Sequence, residues 1–423
     1  MSDRTLSRAS WVAFGAFAGA LYLISSCSGD SAGDEQTESV PVPTTAEATD
    51  TTDAAAETTV ADEPPATDAT AVAFLPPEGN PELLAEWNQL EVRDGQLVTL
   101  DDVTPYTLNS ALFTDHAHKL RTVWLPDGSS AAMSDPDETF DFPVGTVITK
   151  TFYYPEAEGA ADVVLTDSDE AGLDGALELA DVRLVETRVL LHRDDGWHAF
   201  PYVWDEGETE ATLERTGDVQ AFAAVSADGT ETPLTYVVPD VNQCASCHAT
   251  NHTTGAIQPI GPKARHLNGA IDYGAGAESQ LEYWQAIGLV TDATAATEMP
   301  TAAAWDDESA PLEDRARAYL DINCAHCHNP DGVEGVSSQL FLQHDATDPF
   351  DYGVCKRPGS AGLGNGGLTF DIVPGDHTQS ILWFRMDTEQ LGAMMPDIGR
   401  AVRDDLGTEL VARWIDGLDG TCD

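Results

Sequence analysis

Basic residues are scarce in this chain, which has 20 Lys and Arg against 73 Asp and Glu among its 423 residues. The formal net charge of −53 argues against binding to nucleic acid or to an anionic membrane surface, because both require a cationic footprint. The same acidity favours association with basic proteins, such as a cationic redox partner. It also suits a saline environment, where salt screens the repulsion between carboxylates.

A hydrophobic run long enough to span a membrane is also missing. The longest run, residues 11–24, follows two arginines and has the length of a signal-peptide core. It ends in LISSC, which is similar to the lipobox of bacterial lipoproteins and places Cys27 at the lipidation position. We therefore expect a lipoprotein signal peptide over residues 1–26, although an ordinary signal peptide followed by a chance cysteine fits the same pattern. Ser28, where an Asp would indicate retention at the inner membrane, favours an exported protein anchored in the outer membrane and facing the periplasm or the cell surface.

Lys and Arg are absent from residues 28–78, and aromatic residues are almost absent. Most of this stretch is Thr, Ala, Asp, Glu, Pro and Ser, so it cannot bury enough apolar surface to fold. Repulsion between its carboxylates favours an extended chain. Residues 27–78 are therefore predicted to be an acidic disordered linker that holds the folded body away from the lipid anchor.

Cysteine is rare, but four of the seven cysteines belong to a repeated motif. The pattern C-x-x-C-H, typical of c-type haem attachment, occurs as CASCH at residues 244–248 and as CAHCH at residues 324–328. In such a motif the two thiols add to the vinyl groups of the porphyrin, and the His binds the iron from the proximal side. The pattern predicts two c-type haems, attached through Cys244, Cys247, Cys324 and Cys327 and ligated by His248 and His328.

Two other chemistries use paired cysteines. A four-cysteine zinc site can be built from two C-x-x-C pairs, but the two pairs of this chain are farther apart in sequence than those of a compact zinc ribbon. Both pairs are also followed directly by a His, which a zinc ribbon does not need. A redox-active C-x-x-C normally accompanies a βαβ pattern, which this region lacks. Haem attachment is the interpretation that uses every residue of both motifs.

Two further cysteines, Cys355 and Cys422, remain after the lipidation and haem sites are assigned. In an oxidising compartment such a pair suggests a disulfide, which would join a loop of the second haem region to the C-terminal end of the chain. The alternative is that both residues are unpaired thiols.

The distal ligand of the second haem is predicted from a Met-Pro pair. Met395 directly precedes Pro396, before the terminal helix, and a Met thioether opposite His suits electron transfer because it raises the redox potential. Met394 and Met386 are the alternative ligands. Because Met side chains also fill gaps in cores, packing without ligation is a further interpretation.

For the first haem, a second Met-Pro pair makes Met299 the predicted distal ligand, at a workable distance along the chain from His248. His252 and His266 compete with it. His252 follows the attachment motif too closely to reach the opposite haem face easily. His266 is more typical of a surface or supporting histidine.

The pattern of apolar residues indicates a β-rich region over residues 79–240. Residues 144–154 are rich in β-branched and aromatic residues and predict a strand. Residues 182–192 and 197–204 predict a hairpin around an Asp-Gly turn. Together these signals predict a β-rich, sandwich-like domain.

After the β-rich region the strand signal fades. Residues 278–290, 311–323 and 404–418 have helical periodicity, and the second of these leads directly into the second motif. A helix before the motif and a terminal helix that packs against it form the plan of a small all-α cytochrome c domain. We therefore predict a multidomain α+β protein, with a first haem module over residues 241–308 and a second over residues 309–423.

With these motifs, the chain resembles a family of largely uncharacterised bacterial dihaem c-type cytochromes. The resemblance extends from about residue 100 onward and includes PYTLNSALFTDHAHKLR, FPVGTVITKTF, NQCASCH with PIGPKARHLN, RARAYLDINCAHCHNPDG, IVPGDHTQSILWFRM and MMPDIGR. It implies a β-rich N-terminal domain, two cytochrome c modules and a role in electron transfer, but no established substrate. The residues before Cys244 look extended rather than helical, which departs from the usual plan and implies that the first module packs against another part of the chain.

The leading functional hypothesis is a dihaem cytochrome that passes electrons from a donor to an acceptor redox protein outside the cytoplasm. The alternative is an enzyme similar to dihaem peroxidases, in which one haem lacks a distal ligand and reduces peroxide. In a third hypothesis, the β-rich domain binds a partner or substrate and the haems only carry its electrons away. No residue is predicted to be catalytic, because the leading hypothesis is a non-enzymatic electron carrier.

Overall fold

One hydrogen-bonded sheet of nine strands dominates the computed structural model within the residues that it describes. Those residues are 79–423, apart from 158–159, 167–169, 173, 274–275, 292–293, 333–338 and 360–361. In chain order their strands are β1 Leu90–Arg93, β2 Gln96–Thr99, β3 Thr104–Tyr106, β4 His118–Trp124, β5 Ala131–Ala132, β6 Val147–Ala157, β7 Ala160–Leu165, β8 Ala176–Glu178, β9 Val182–Arg193, β10 Gly196–Trp204, β11 Ala211–Leu213, β12 Asp218–Val225, β13 Glu231–Val238, β14 Ala270–Asp272, β15 Ala277–Ser279 and β16 Val290–Thr291. The α-helices are α1 Cys244–His248, α2 Ala264–Leu267, α3 Gln280–Ala286, α4 Leu312–Cys324, α5 Ile381–Asp387 and α6 Asp405–Asp416. Short 3₁₀ helices cover Leu84–Trp87, Ala296–Glu298, Gly362–Asn365 and His377–Gln379.

The main sheet has the strand order β11-β10-β9-β6-β7-β12-β13, and β4 joins it by pairing with both β6 and β3. Its strands pair antiparallel except for β7 and β12, which are parallel. Smaller sheets are formed by β1, β2 and β8, by β14 and β15, and by β5 and β16. The prediction of a β-rich region is confirmed, but its nine main strands form one continuous sheet rather than the two facing sheets of a sandwich.

The predicted hairpin is confirmed as β9 and β10. The two strands pair in register from Arg193 with Gly196 to Glu186 with Val203. Gly196 has a φ of 119°, a conformation in which the missing Cβ atom avoids a steric clash. Since a shift of one residue would reverse the two faces of a strand, this turn helps to decide which β9 side chains face each side of the sheet.

Strand β6 sends different side chains to its two faces, because successive residues of a strand point in opposite directions. On one face, Val147 and Tyr153 join the apolar core beneath the sheet. On the other face, Ile148 and Phe152 belong to two further apolar clusters. Lys150 lies on this second face between them, so a charged side chain interrupts an otherwise apolar surface.

Residues 241–308 pack onto the β-rich region. They contain three short helices, α1 to α3, and three short strands, β14 to β16. Leu281 and Trp284 of α3 share one apolar cluster with Phe140 and Ile148 of the preceding region. Because the apolar side of this segment is buried against the β-rich region, the prediction of a first all-α module is not supported, and the helix predicted over residues 278–290 shortens to α3.

Residues 309–423 pack around helices α4, α5 and α6, which share a third apolar cluster. The helices predicted over residues 311–323 and 404–418 are observed as α4 and α6, with ends that differ by one or two residues. Helix α6 approaches α4 at Gly407, where a Cβ atom would overlap the ring of Tyr319. Between α4 and α5, however, the described chain consists of turns, short 3₁₀ helices and isolated bridges, so a small all-α module is not supported.

All described residues lie in one compact unit. The domain boundaries near residues 240 and 308 stay predictions. The predicted signal peptide, the lipidation site Cys27 and the acidic linker over residues 27–78 lie outside the described residues. Within the described part of the chain, no helix is both long enough and apolar enough to cross a membrane.

Candidate functional site

The two C-x-x-C-H motifs, which lie far apart in the sequence, contact each other in the fold. The Sγ atom of Cys327 in the second motif lies 3.4 Å from the backbone oxygen of Ser246 in the first. The segments that follow the motifs are also joined, since the backbone N–H of His252 donates to the carbonyl of Asp331 at 2.7 Å. The fold therefore places both motifs in a single site.

The four cysteines of the motifs are free thiols. Burial raises the pKa of each thiol, and that of Cys324 and of Cys327 reaches about 12. The thiols are therefore protonated at neutral pH. Among the described residues, no group of three or more His, Cys, Asp or Glu side chains is arranged to hold a metal ion, so the four thiols are not grouped as a zinc site.

The cavity beside the second motif, which we name the second cavity, is lined by Cys324, Cys327 and His328. Met386 and Met395 line the same cavity. The structure thus brings the favoured ligand Met395 and its alternative Met386 to the cavity of His328. The third candidate, Met394, is buried but is not one of the residues that line this cavity.

Hydrogen bonds to the backbone hold the loop that carries Met395. The backbone N–H of Met395 donates to the carbonyl of Arg385 at 2.8 Å. The guanidinium of Arg400 donates to the carbonyl of Met386 at 3.0 Å and to that of Thr388 at 2.7 Å. These contacts fix the loop against the C-terminal end of α5.

The imidazole of His328 is suited to donate a lone pair. Burial, followed by the nearby charge of Arg385, lowers the pKa of His328 to about 4. The ring is therefore neutral at physiological pH, which is the form that binds metals.

The cavity beside the first motif, which we name the first cavity, is lined by Cys244, Cys247 and His248. The Nδ1 atom of His248 lies 2.8 Å from the carbonyl oxygen of Gln258, to which it donates a hydrogen bond. This bond leaves the lone pair on Nε2, an arrangement typical of histidines that bind metals. Burial, followed by the charge of Lys150, lowers the pKa of His248 to about 3, so this ring is also neutral.

The first and second cavities share a wall. Cys247 of the first motif and His326 of the second motif line both cavities. The Nδ1 atom of His326 is buried and has no hydrogen-bond partner among the described residues. His326 is therefore a polar group at the shared wall that the protein alone does not satisfy.

A row of three cations crosses the sheet face that borders the first cavity. In the strand register, Arg121 of β4 lies opposite Lys150 of β6, which lies opposite Arg188 of β9. All three side chains line the first cavity. We name them the cationic row. Because like charges directly opposite each other destabilise a sheet, negative charge beside the cationic row would stabilise it.

Two carboxylates compensate part of this charge. Glu186 accepts from the Nε atom of Arg188 at 2.9 Å, and Glu170 lies 3.2 Å from Nη1 of Arg121. The Nη2 atom of Arg121 is buried without a hydrogen-bond partner in the described chain. Lys150 contacts the ring of Phe152 at 5.2 Å from its centroid, and no described residue gives its amine a hydrogen bond or an ion pair.

The charges of the cationic row also change the acidity of its lysine. Burial, followed by the charges of Arg188 and Arg121, lowers the pKa of Lys150 to about 7. A second lysine beside the row, Lys119, is bonded differently. Its amine donates to the carbonyls of Leu112 and Ala117, both at 2.8 Å. Lys150 is thus the lysine of this wall whose amine is left to interact with an occupant of the cavity.

Met299, the predicted distal ligand at the first motif, lies elsewhere. It is buried in the apolar cluster that α3 forms with the β-rich region, and it does not line the first cavity. The amide of Asn268 holds this segment by donating to the carbonyls of Met299 at 3.1 Å and Ala296 at 3.0 Å. The structure therefore does not bring Met299 and His248 together, because local hydrogen bonds and apolar packing fix Met299 in the core.

The two histidines that compete with Met299 are also not brought to the first cavity. His252 is exposed. His266 is buried, and its Nε2 atom contacts the carboxylate of Asp321. Burial alone would raise the pKa of Asp321, but the hydrogen bond from His266 and the charge of Lys263 lower it to about 2. His266 therefore links α2 to α4, three residues before Cys324.

The remaining cysteine pair forms a disulfide bond. Cys355 and Cys422 are joined across a sequence separation of 67 residues, with their Cα atoms 5.1 Å apart. The bond ties a loop after the second motif to the end of the chain. The segment that it encloses contains α5, Met395 and α6, so it restrains one side of the second cavity.

Sequence reasoning missed the cationic row and His326. Part of the signal was present in VITKTFYY, where Ile148, Lys150 and Phe152 alternate onto one face and make Lys150 an unusual charge on an apolar surface. His326 has no such signal, because its position between two cysteines does not say which cavity it borders.

No family model matches the chain, and no curated protein or solved structure is significantly similar to it.

Proposed function

We propose that this chain is a dihaem c-type cytochrome, of the family that it resembles, and that it transfers electrons between redox proteins outside the cytoplasm. The observation that carries the proposal is the pair of C-x-x-C-H motifs, which contact each other while each borders a cavity of its own. When bound, each haem supplies a one-electron exchange between ferric and ferrous iron. The residues of this chain attach the two groups, orient them and exclude water.

The residues of both cavities fit a porphyrin whose iron is ligated by His. Each cavity has two free thiols beside a neutral imidazole, and His248 has its Nδ1 atom bonded so that Nε2 is available. The first cavity also has more cations than carboxylates on its sheet wall. The carboxylates that a porphyrin carries at its edge would compensate that charge, and Arg121 has an unused buried donor for one of them.

For the second haem we propose ligation by His328 and Met395. Both residues line the second cavity, and the contacts of Arg400 and Arg385 keep the Met395 loop in place. A thioether opposite an imidazole favours a high redox potential, which suits an electron carrier.

The relation between the two motifs supports a relay of electrons within one chain. The 3.4 Å contact between Cys327 and Ser246 means that both haems would be attached at neighbouring points of the protein. The net charge of −53 would favour encounters with basic donor and acceptor proteins, and such encounters weaken as salt increases. A lipid anchor at Cys27 would hold this activity at the outer membrane, facing the periplasm or the cell surface.

Haem content tests the proposal. The full chain should be produced in a host that attaches c-type haem, and covalent haem should be counted on the denatured protein. We expect two haems per chain, one fewer in the double variant Cys244→Ser/Cys247→Ser, and one fewer in Cys324→Ser/Cys327→Ser. A matched control that removes only the disulfide cysteines, Cys355 and Cys422, should keep both haems. A chain without covalent haem would refute the proposal.

The ligand of the second haem can be tested separately with Met395→Ala. We expect this variant to lose the charge-transfer band of Met-ligated ferric haem and to have a lower midpoint potential at one haem. Met394→Ala is the matched control, because Met394 is buried next to Met395 but does not line the second cavity. If Met386→Ala removes the band while Met395→Ala keeps it, Met386 is the ligand instead.

A second candidate function is peroxide reduction at the first haem. It is favoured by one observation, that no Met of the described chain lines the first cavity. An open coordination position would permit such chemistry. A high-spin ferric haem in the purified protein, together with turnover of peroxide, would support it. Two low-spin haems would favour the electron carrier.

A further inference from the structure

We propose that Lys150, on the β-rich region, would hold the iron of the first haem together with His248. This inference rests on the haem attachment proposed above. It also gives the β-rich region a direct role at the redox centre.

The shape of the first cavity supports this assignment. On one side lies α1, which carries both cysteines of the first motif and His248. On another side lies the sheet face with the cationic row, and Lys150 occupies the middle position of that row. A haem attached to α1 would therefore be held in a cavity whose lining includes Lys150.

Few groups on the sheet wall can give a lone pair to iron. Arginine retains its proton in proteins, which excludes Arg121 and Arg188. Lys119 uses its amine in two hydrogen bonds to backbone carbonyls at 2.8 Å. The ring of Tyr106 packs edge-on against Trp284 at 5.7 Å, as part of an apolar cluster. Lys150 remains as the residue with an available amine.

The surroundings of Lys150 favour the form that binds iron. Lys150, His248 and His326 line the same cavity, and the carbonyl bonds that occupy the amine of Lys119 have no counterpart at Lys150 among the described residues. The flanking Arg121 and Arg188 disfavour a third cation between them and so reduce the cost of deprotonation. On binding, the amine would release one proton to solvent and donate its lone pair, without any transfer of electrons.

His326 is the competing ligand, because it lines the first cavity and has a buried Nδ1 atom without a partner in the described chain. It belongs to the second motif, however, and lies on the wall that the two cavities share. Lys150 is favoured because it lies on the sheet face.

The test compares two substitutions in the haem-loaded full chain, measured by electron paramagnetic resonance and optical absorption of the ferric protein. Lys150→Arg keeps the positive charge but cannot bind iron, whereas Lys150→Met removes the charge and offers a thioether. We expect two low-spin haems in the parent, one high-spin haem in Lys150→Arg, and a return to low spin with a second Met-type band in Lys150→Met. A first-haem signal that is unchanged in Lys150→Arg would overturn the assignment.

A third substitution separates the competing outcomes. His326→Asn should leave the first-haem signal unchanged. If it instead removes that signal while Lys150→Arg keeps it, His326 is the ligand and the proposal is wrong. A parent protein with one high-spin haem would overturn the Lys150 assignment and leave haem attachment intact. A parent without covalent haem would overturn both proposals.

Discussion

Removal of the disulfide between Cys355 and Cys422 should destabilise the protein by about 4 kcal/mol. The bond closes a loop with a sequence separation of 67 residues. In the chain-entropy treatment of crosslinks, closing a loop of this length in the unfolded chain costs about 4 kcal/mol at 25 °C. The double variant Cys355→Ser/Cys422→Ser returns that entropy to the unfolded state and should therefore unfold more easily.

The loss of stability should extend to the residues around the second cavity, because the closed loop includes α5 and the Met395 segment. Within the loop, the backbone N–H of Cys355 donates to the carbonyl of Ile372 at 2.9 Å, a contact that does not involve the sulfur atoms of the crosslink. We therefore expect the folded structure to persist and the loss to appear as lower stability.

Urea unfolding, followed by Trp fluorescence, measures the effect. The midpoint should decrease in the double variant while the dependence on urea concentration stays similar. A thiol reductant added to the parent should reproduce the decrease, since it opens the disulfide. If the free energy of unfolding decreases by less than about 1 kcal/mol and its dependence on urea is unchanged, the unfolded chain does not gain the expected conformational entropy.

Two further substitutions test contacts near the second motif. Asp321→Asn should cost about 2 kcal/mol at neutral pH, because the folded-state pKa of Asp321 is about 2 against an ordinary value of 3.8. That stabilisation is present above pH 3.8 and is lost as the pH falls toward 2. The urea midpoints of the parent and the variant should therefore converge as the pH is lowered. A difference between the midpoints that does not change with pH would contradict the role of the His266 contact. Gly407→Ala should cost about 1–3 kcal/mol, because the new methyl group would overlap the ring of Tyr319. An unchanged melting temperature in that variant would mean that α6 can move away from α4 without loss.

Local patterns predicted the elements that depend on neighbouring residues. The alternation of residues 182–192, followed by a turn containing Gly196, was sufficient to predict β9 and its partner. The apolar stripes of α4 and α6 were similarly sufficient for these helices. The hairpin and the two helices depend on residues that lie close together in the sequence.

Features that depend on distant partners were not predicted. Trp284 belongs to a helical stripe in the sequence, but whether it packs in a small helical module or against Phe140 depends on contacts far along the chain. The position of Met299 in that same cluster has the same cause. The cationic row requires the register of three strands, which places Arg121, Lys150 and Arg188 opposite each other although the sequence separates them widely.

The cationic row has a consequence for the stability of the folded chain before any ligand is bound. Before any anionic group is bound, the middle of the largest sheet has repulsion between directly opposed cations. A group that binds only the native state stabilises it, and one that is attached covalently does so permanently. If the proposed haems bind here, a chain without them would open more often and expose its backbone to proteases, whose attack depends on the population of open forms. Under that proposal, proteolysis would remove unloaded chains and spare loaded ones without a separate recognition signal.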